Sequence, residues 1–210
     1  MIKIIIFFLT IMCGDYFIFL FINYIYNSKL TINNIKDLCK VWHGNIINYI
    51  LFQYFSFKLN WFSYIKPYDL FLGFLYFIMV DFIFYNIHYL VHTKCIYNKI
   101  HKFHHKCKPL IVICTRNSHW IDATLENISF FLPFFIFNYH GFIFLFCLLT
   151  NAFWIAYLHS GEIKQIKQNS LFITPTHHTI HHKYEGCVSY NYALYFTFWD
   201  YIFNTLKTDI

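Results

Sequence analysis

The residues best suited to chemistry in this chain are its histidines, 13 in all. His88 and His92 stand four apart, so on a helix they share one face. His101, His104 and His105 form an HxxHH group, and His178, His181 and His182 form a second, with His177 directly before it. Positions i, i+3 and i+4 lie on one side of a helix, so each HxxHH aims three imidazoles the same way. Thr174-Pro175 opens the second group as an N-cap and first-turn pair. One HxxHH supplies most of a single metal site, and two of them with HxxxH exceed what one ion can use. The spacing implies two metals. His119, His159 and His177 are additional candidate ligands, while His43 and His140 read as interfacial.

Nitrogen-only ligands suit zinc, copper, iron or nickel, with geometry deciding among them. A structural zinc normally takes four ligands, often cysteines, yet Cys95, Cys107 and Cys114 share no ligand spacing with the first cluster. The histidines therefore point to an oxygen-activating dinuclear centre. Three carboxylates are candidates to support it. Asp122 and Asp200 read either as acceptors of a ring N–H that fix a tautomer or as solvated loop carboxylates. Asp81, two turns before His88 in an apolar helix, reads either as a functional carboxylate or as a hydrogen-bonded polar residue between helices.

The elements that position these residues belong in a bilayer. Hydrophobic residues make up 58% of the 210-residue chain and charged residues only 12%, against about 25% charge in a soluble domain. Ile4–Tyr26 is long enough to span a hydrocarbon core, and too long for a typical signal peptide. A polar loop, Ser28–Gly44, follows. Asn45–Ile65 is a second apolar segment, interrupted by Lys58, which either spans or lies at the interface. Asp69–His92 is a third candidate span, followed by the basic segment Lys94–Glu126. From Asn127 to Gly161 there is no Asp, Glu, Lys or Arg. Asn138-Tyr139-His140-Gly141 breaks that stretch with a turn and Pro133 kinks its first arm. A short hairpin, with arms of about 22 Å at 1.5 Å per residue, returns the chain to the side it left. Every histidine cluster then falls on one membrane face.

Lysine placement gives the sidedness. Lys29, Lys36, Lys40, Lys94, Lys99, Lys102, Lys106, Lys108, Arg116, Lys164, Lys167, Lys183 and Lys207 fall on the histidine side, and only Lys3, Lys58 and Lys66 on the other. The positive-inside rule makes the histidine face cytosolic. The same placement accounts for the net charge of +6 without nucleic acid as a partner. Phe, Ile, Asn, Tyr and Lys abound and Arg116 is the lone arginine, the mark of AT-rich codons, so the many Phe residues serve as apolar filler. The seven cysteines are scattered without a CxxC pair, which favours reduced thiols. Asp15 reads as structural, and the rings of Tyr192 and Trp199 as interfacial anchors. The expected fold is an all-α integral membrane protein with about four membrane-embedded helical elements, one of them the hairpin, and a cytosolic helical cap over a dinuclear site. It forms a single membrane domain over 1–210, with N-terminal membrane segments at 1–68 and the histidine region at 69–206.

The motifs His88-Tyr-Leu-Val-His92, His101-Lys-Phe-His104-His105 and His177-His178-Thr-Ile-His181-His182 resemble, in order, the three histidine boxes of the membrane-bound fatty acid hydroxylase/sterol desaturase superfamily. Arg116-Asn-Ser-His119 resembles its Arg-x-His-Pro segment, and His159-Ser-Gly its post-hairpin histidine. Asn191-Tyr192 through Trp199-Asp200 to Thr205 is similar to its closing element. The resemblance covers residues 70–206 and looks nearest to the sterol desaturase branch. Trp120, Asp122, Ala193 and Asn204 depart from the usual Pro, Glu, Gly and Gly, and Ile155 is a histidine in some relatives. Asn tolerates a left-handed turn at 204, whereas Ala193 would not.

The resemblance implies two iron ions, replaceable by zinc, and O2 as co-substrate. It makes the eight box histidines catalytic metal ligands and the reaction hydroxylation or desaturation of a sterol or fatty acyl chain. A separate electron donor is implied, of the cytochrome b5/reductase or ferredoxin type. The location would be the endoplasmic reticulum in a eukaryote and the cytoplasmic membrane otherwise. Two other classes fit parts of the pattern: an inactive metal- and lipid-binding relative, and a membrane zinc transporter, whose ligands should line a path between spans.

Overall fold

The structure is a computed structural model and describes residues 46–161, 170–184 and 186–209. Ile4–Tyr26, Asp15, Ser28–Gly44, His43, Lys164 and Lys167 lie outside the described residues.

The described chain is helical, and among these residues the sheet-like contacts are two isolated bridges, Asn60 with His140 and Phe172 with Phe196. Helix α1 (Ile46–Lys58) is shorter than the apolar segment that suggested it. Helix α2 (Pro67–Val91) starts with Pro67 in its first turn, where the missing N–H costs nothing. The Asp69 carboxylate accepts the Lys66 amide at 2.7 Å. Two short helices follow, α3 (Lys94–Tyr97) and α4 (Lys102–His105), then a 3₁₀ segment (Val112–Arg116). The hairpin is built from α5 (Trp120–Ile136) and α6 (Gly141–Leu158), and α7 (Pro175–Lys183) and α8 (Thr197–Ile202) close the cap.

Helices α2 and α6 are both long and apolar enough to cross a membrane. On α6, Phe142, Phe146, Leu149 and Phe153 recur at helical spacing and are all exposed, as are Leu70, Phe71, Phe74 and Phe82 on α2. Water would penalise such surfaces, and lipid does not. The opposite faces meet in a buried core of Leu72, Tyr76 and Val80 with Phe130, Phe131, Phe134, Ile143, Phe144 and Cys147. Within it the Tyr76 hydroxyl donates to the Phe130 carbonyl at 3.0 Å. Asn151 joins Tyr76 to Tyr195 by side-chain hydrogen bonds. A buried polar chain of this kind is satisfied only in one helix register.

The hairpin turn falls where the sequence placed it. His140 caps α6, its Nδ1 accepting from Phe142 at 3.2 Å while Nε2 donates to the Ser63 carbonyl at 2.9 Å. The Gly141 amide donates to Asn60 at 2.9 Å, and a Cβ on Gly141 would collide with the Trp61 ring. Both arms run longer than about 22 Å at 1.5 Å per residue, with 17 residues in α5, which starts at Trp120, and 18 in α6. The C-terminal ends of α2 and α6 and the start of α5 therefore meet at one end of the bundle, opposite His140.

One thiol expectation is overturned. Cys107 and Cys114 form a disulfide, with Cα atoms 5.6 Å apart. The chain doubles back between them, and the 3₁₀ segment turns Cys114 inward, a proximity that no short cysteine motif announces. Cys95, Cys147 and Cys187 are free.

Two buried carboxylates order the segment between α7 and α8. Asp200 accepts the amides of Tyr192 at 2.8 Å and Ala193 at 3.0 Å. Asp81, from the middle of α2, accepts those of Leu194, Tyr195 and Phe196 at 2.7–3.0 Å. Consecutive amides thus all point at negative charge. Asp81→Ala would leave three buried N–H groups unpaired, at about 1–3 kcal/mol each. Thermal unfolding in detergent should show a large drop in midpoint for Asp81→Ala, with Asp81→Asn between it and wild type.

Candidate metal centre

Seven of the eight box histidines, joined by His159, converge at the end of the bundle as two buried groups of four. His88, His92, His101 and His181 form one, and His104, His159, His178 and His182 the other, with the ligand atoms of each group within 4.8 Å of one another. Helix α2 supplies His88 and His92 from its last turn, and the α4 segment supplies His101, His104 and His105. His159 is the C-cap of α6, and α7 supplies His178, His181 and His182. The groups adjoin: the ring centroids of His101 and His104 are 5.5 Å apart, and those of His181 and His182 likewise 5.5 Å. His105 belongs to neither group of four but sits between them, its Nε2 at 3.2 Å from that of His101 and its ring stacked on His182 at 4.5 Å.

Hydrogen bonds fix how the rings face. His88 Nδ1 donates to the Tyr192 carbonyl at 2.8 Å, His92 Nδ1 to Gly186 at 3.1 Å and His181 Nδ1 to Tyr190 at 2.8 Å. His159 Nδ1 donates to Ile155 at 2.9 Å, and His101 Nδ1 to the Asp122 carboxylate at 2.9 Å. A carbonyl or carboxylate oxygen only accepts, so each Nδ1 holds the proton and each Nε2 presents a lone pair. All four inward nitrogens of the first group are then acceptors with no donor among them. The Nε2 atoms of His92 and His181 are buried without a hydrogen-bond partner. In the second group, Nε2 of His159 faces those of His104 at 3.3 Å and His178 at 3.0 Å, and His178 faces His182 at 3.1 Å. Nitrogens about 3–4 Å apart are what a shared ion with bonds of about 2.1 Å requires. Each group could hold a metal ion, and the donor set fits iron or zinc.

Burial keeps these imidazoles neutral, the form that binds metal. Desolvation, reinforced by neighbouring rings, pushes His92 and His159 down to about 3, and His101, His105, His178, His181 and His182 well below the ordinary value.

Several other candidates fall elsewhere. His119 is the N-cap of α5, where its Nδ1 accepts from the Ile121 amide at 3.3 Å, so its ring serves the helix and joins neither group. His177 likewise spends Nδ1 on the Thr174 amide at 3.1 Å, inside the capping box of α7. Asp122 does accept a ring N–H, that of His101. Asp200 and Asp81 touch no box ring; they act one step back, on the amides of the loop whose Tyr192 carbonyl orients His88. The anchor reading of Tyr192 is replaced. Its ring is 2% exposed and lies edge-on to His92 at 5.1 Å and His88 at 5.7 Å, with Ser189 donating to its hydroxyl at 3.0 Å. Trp199 packs on Phe82 of α2 at 4.7 Å. Asn204 has φ 55°, the left-handed turn that Asn tolerates, and Asn191 has φ 57°. Ala193 has no positive φ, so its methyl group brings no strain there.

A cavity of about 30 Å³ touches His88, His104, His159 and His178. Its apolar wall is Phe84, Ile155, Leu158, Ala193 and Leu194, and Thr115 and Glu126 are its other polar residues. Sequence reasoning missed Glu126. Its one signal is the i, i+4 spacing from Asp122 on the helix that begins after His119.

Residues 73–205 match the family described as fatty acid hydroxylase. This chain belongs to that family. It is 32% identical to the lathosterol oxidase of Homo sapiens over 148 residues, 67% of this chain and 48% of the relative. To a Delta(7)-sterol 5(6)-desaturase of Eremothecium gossypii it is 29% identical, over 70% of this chain and 40% of the relative. To methylsterol monooxygenase 1-3 of Arabidopsis thaliana it is 31% identical, over 63% and 46%. The chain spans about half the length of the curated relatives it matches. No solved structure matches it.

Acid should dismantle the site. Free histidine in an unfolded chain takes up a proton near pH 6.5, whereas the buried rings resist until about 3 for His92 and His159. The folded cap is therefore fully stable above pH 6.5 and loses stability as pH falls below it. Bound metal should be released between about pH 6 and 4, followed by filtration and elemental analysis.

Proposed function

We propose that this protein is a membrane-bound di-iron oxidoreductase that uses O2 to hydroxylate or desaturate a lipid, a sterol being the first substrate class to test. The observation that carries this reading is the pair of adjoining imidazole groups, in which the Nδ1 protons of His88, His92, His101, His159 and His181 are held outward and their lone pairs face inward. His88, His92, His101 and His181 would hold one ion and His104, His159, His178 and His182 the other, with His105 between them. Iron bound there would supply the O2 and C–H redox chemistry of the reaction.

The chain's own residues do the rest. The carbonyls of Tyr190, Tyr192, Gly186 and Ile155 and the carboxylate of Asp122 hold the ring protons and fix ligand orientation. Phe84, Ile155, Leu158 and Leu194 keep bulk water out of a cavity large enough only for a molecule about the size of water. A lipid carbon reaches it once that apolar wall parts, from the bilayer that the exposed faces of α2 and α6 imply. The lysines at the histidine end, among them the exposed Lys94, Lys99, Lys102, Lys106 and Lys183, support a cytosolic orientation. They leave that face open to a separate electron donor. The names of the relatives, an oxidase, a desaturase and a monooxygenase of sterols, support the substrate class. Zinc transport fits less well, because the imidazoles crowd one end of the bundle rather than line a path through it.

His104→Ala and His181→Ala, one from each group, should each abolish product measured by mass spectrometry on lipid from expressing cells, with the protein still in the membrane. His119→Ala should keep most activity and lose only about 1 kcal/mol of stability, the value of a helix cap. Wild-type turnover by His104→Ala would contradict the proposed reaction site.

A further inference from the structure

The imidazoles of the two groups are neutral, so two divalent ions between them would bring a large uncompensated positive charge into a buried site. The carboxylates nearby are mostly committed. Asp81 and Asp200 are saturated by loop amides, and Asp122 is engaged by His101. Glu126 is the exception. It stands one turn after Asp122 on α5, and its ligand oxygen lies within 4.8 Å of those of Asp122 and His101. It also lines the cavity that touches His88 of the first group and His104, His159 and His178 of the second. The hydrogen bond at this residue goes to its backbone carbonyl, from Ser129. Among the residues whose side chains are described, none donates to its carboxylate.

Resting on the reading of the two groups as metal sites, we infer that Glu126 is an oxygen ligand of the dinuclear centre, reaching it from the cavity side and making the ligand set mixed nitrogen and oxygen. A carboxylate there offsets charge that imidazoles cannot, and it contributes a hard donor to ions otherwise bound by nitrogen alone. It also stands beside the free space where a small co-substrate would enter.

Cobalt(II) titration of the full-length apoprotein in detergent tests this without reference to turnover, because cobalt d–d absorption reports its ligand set. Wild type should take up two ions per chain. Glu126→Gln, isosteric but uncharged, should weaken uptake of one ion about 10–100-fold, the scale on which supporting groups tune metal affinity, and shift the visible bands. Glu126→Asp, which keeps the carboxylate, should recover much of that loss, with helix content by circular dichroism unchanged in both. Identical affinity and spectra for wild type and Glu126→Gln would overturn the inference while leaving the histidine sites standing. Equal loss in the Gln and Asp variants would assign Glu126 to packing and overturn it too. If wild type itself bound no cobalt, the metal-site reading would fail, and the inference with it.

Discussion

A ring nitrogen that donates to a carbonyl has given up its choice of tautomer, and the rest of this structure is arranged around that loss. His88, His92, His159 and His181 each donate the Nδ1–H to a backbone oxygen, and His101 to Asp122. Their Nε2 lone pairs then face inward, as the ligands of a bound cation would. The carbonyls must therefore be held as firmly as the rings. Asp200 and Asp81 do this by gathering the amides of Tyr192 to Phe196, so a carboxylate in the middle of α2 contributes to the aim of an imidazole at its end.

The bilayer imposes the second constraint. Helices α2 and α6 turn aromatic faces outward and bury only 39% of their most apolar windows within the protein. Their inner faces carry the polar chain of Tyr76, Asn151 and Tyr195. The hairpin of α5 and α6 brings Asp122 and His159 to the end of the bundle where α2 delivers His88 and His92. Polar ligands are thus concentrated beyond the apolar region, and the cavity beside them opens toward aliphatic and aromatic side chains.

Much of this was legible because helical periodicity survives in sequence. HxxxH and HxxHH spacings, the Thr174-Pro175 start, the turn at Asn138–Gly141 and the left-handed Asn204 all follow from local geometry. What stayed hidden depends on long-range contacts. His119 and His177 look like ligands by type, but both occupy helix starts, where free amides capture Nδ1. Asp200 looked like a partner for a ring and Asp81 like an intramembrane functional carboxylate, yet their amide partners lie across a loop whose path no periodicity reveals. Tyr192 and the Cys107–Cys114 pair belong to the same class. Glu126 was overlooked because a single carboxylate at the edge of an apolar run carries no pattern of its own.

The central claim is that two ions sit on imidazole nitrogen, and X-ray absorption combined with elemental analysis of the anaerobically purified protein tests it most directly. The account predicts about two metal ions per chain, a first shell dominated by nitrogen at about 2.1 Å, and multiple scattering from imidazole rings. One ion or none per chain, or a shell dominated by sulfur, would contradict it.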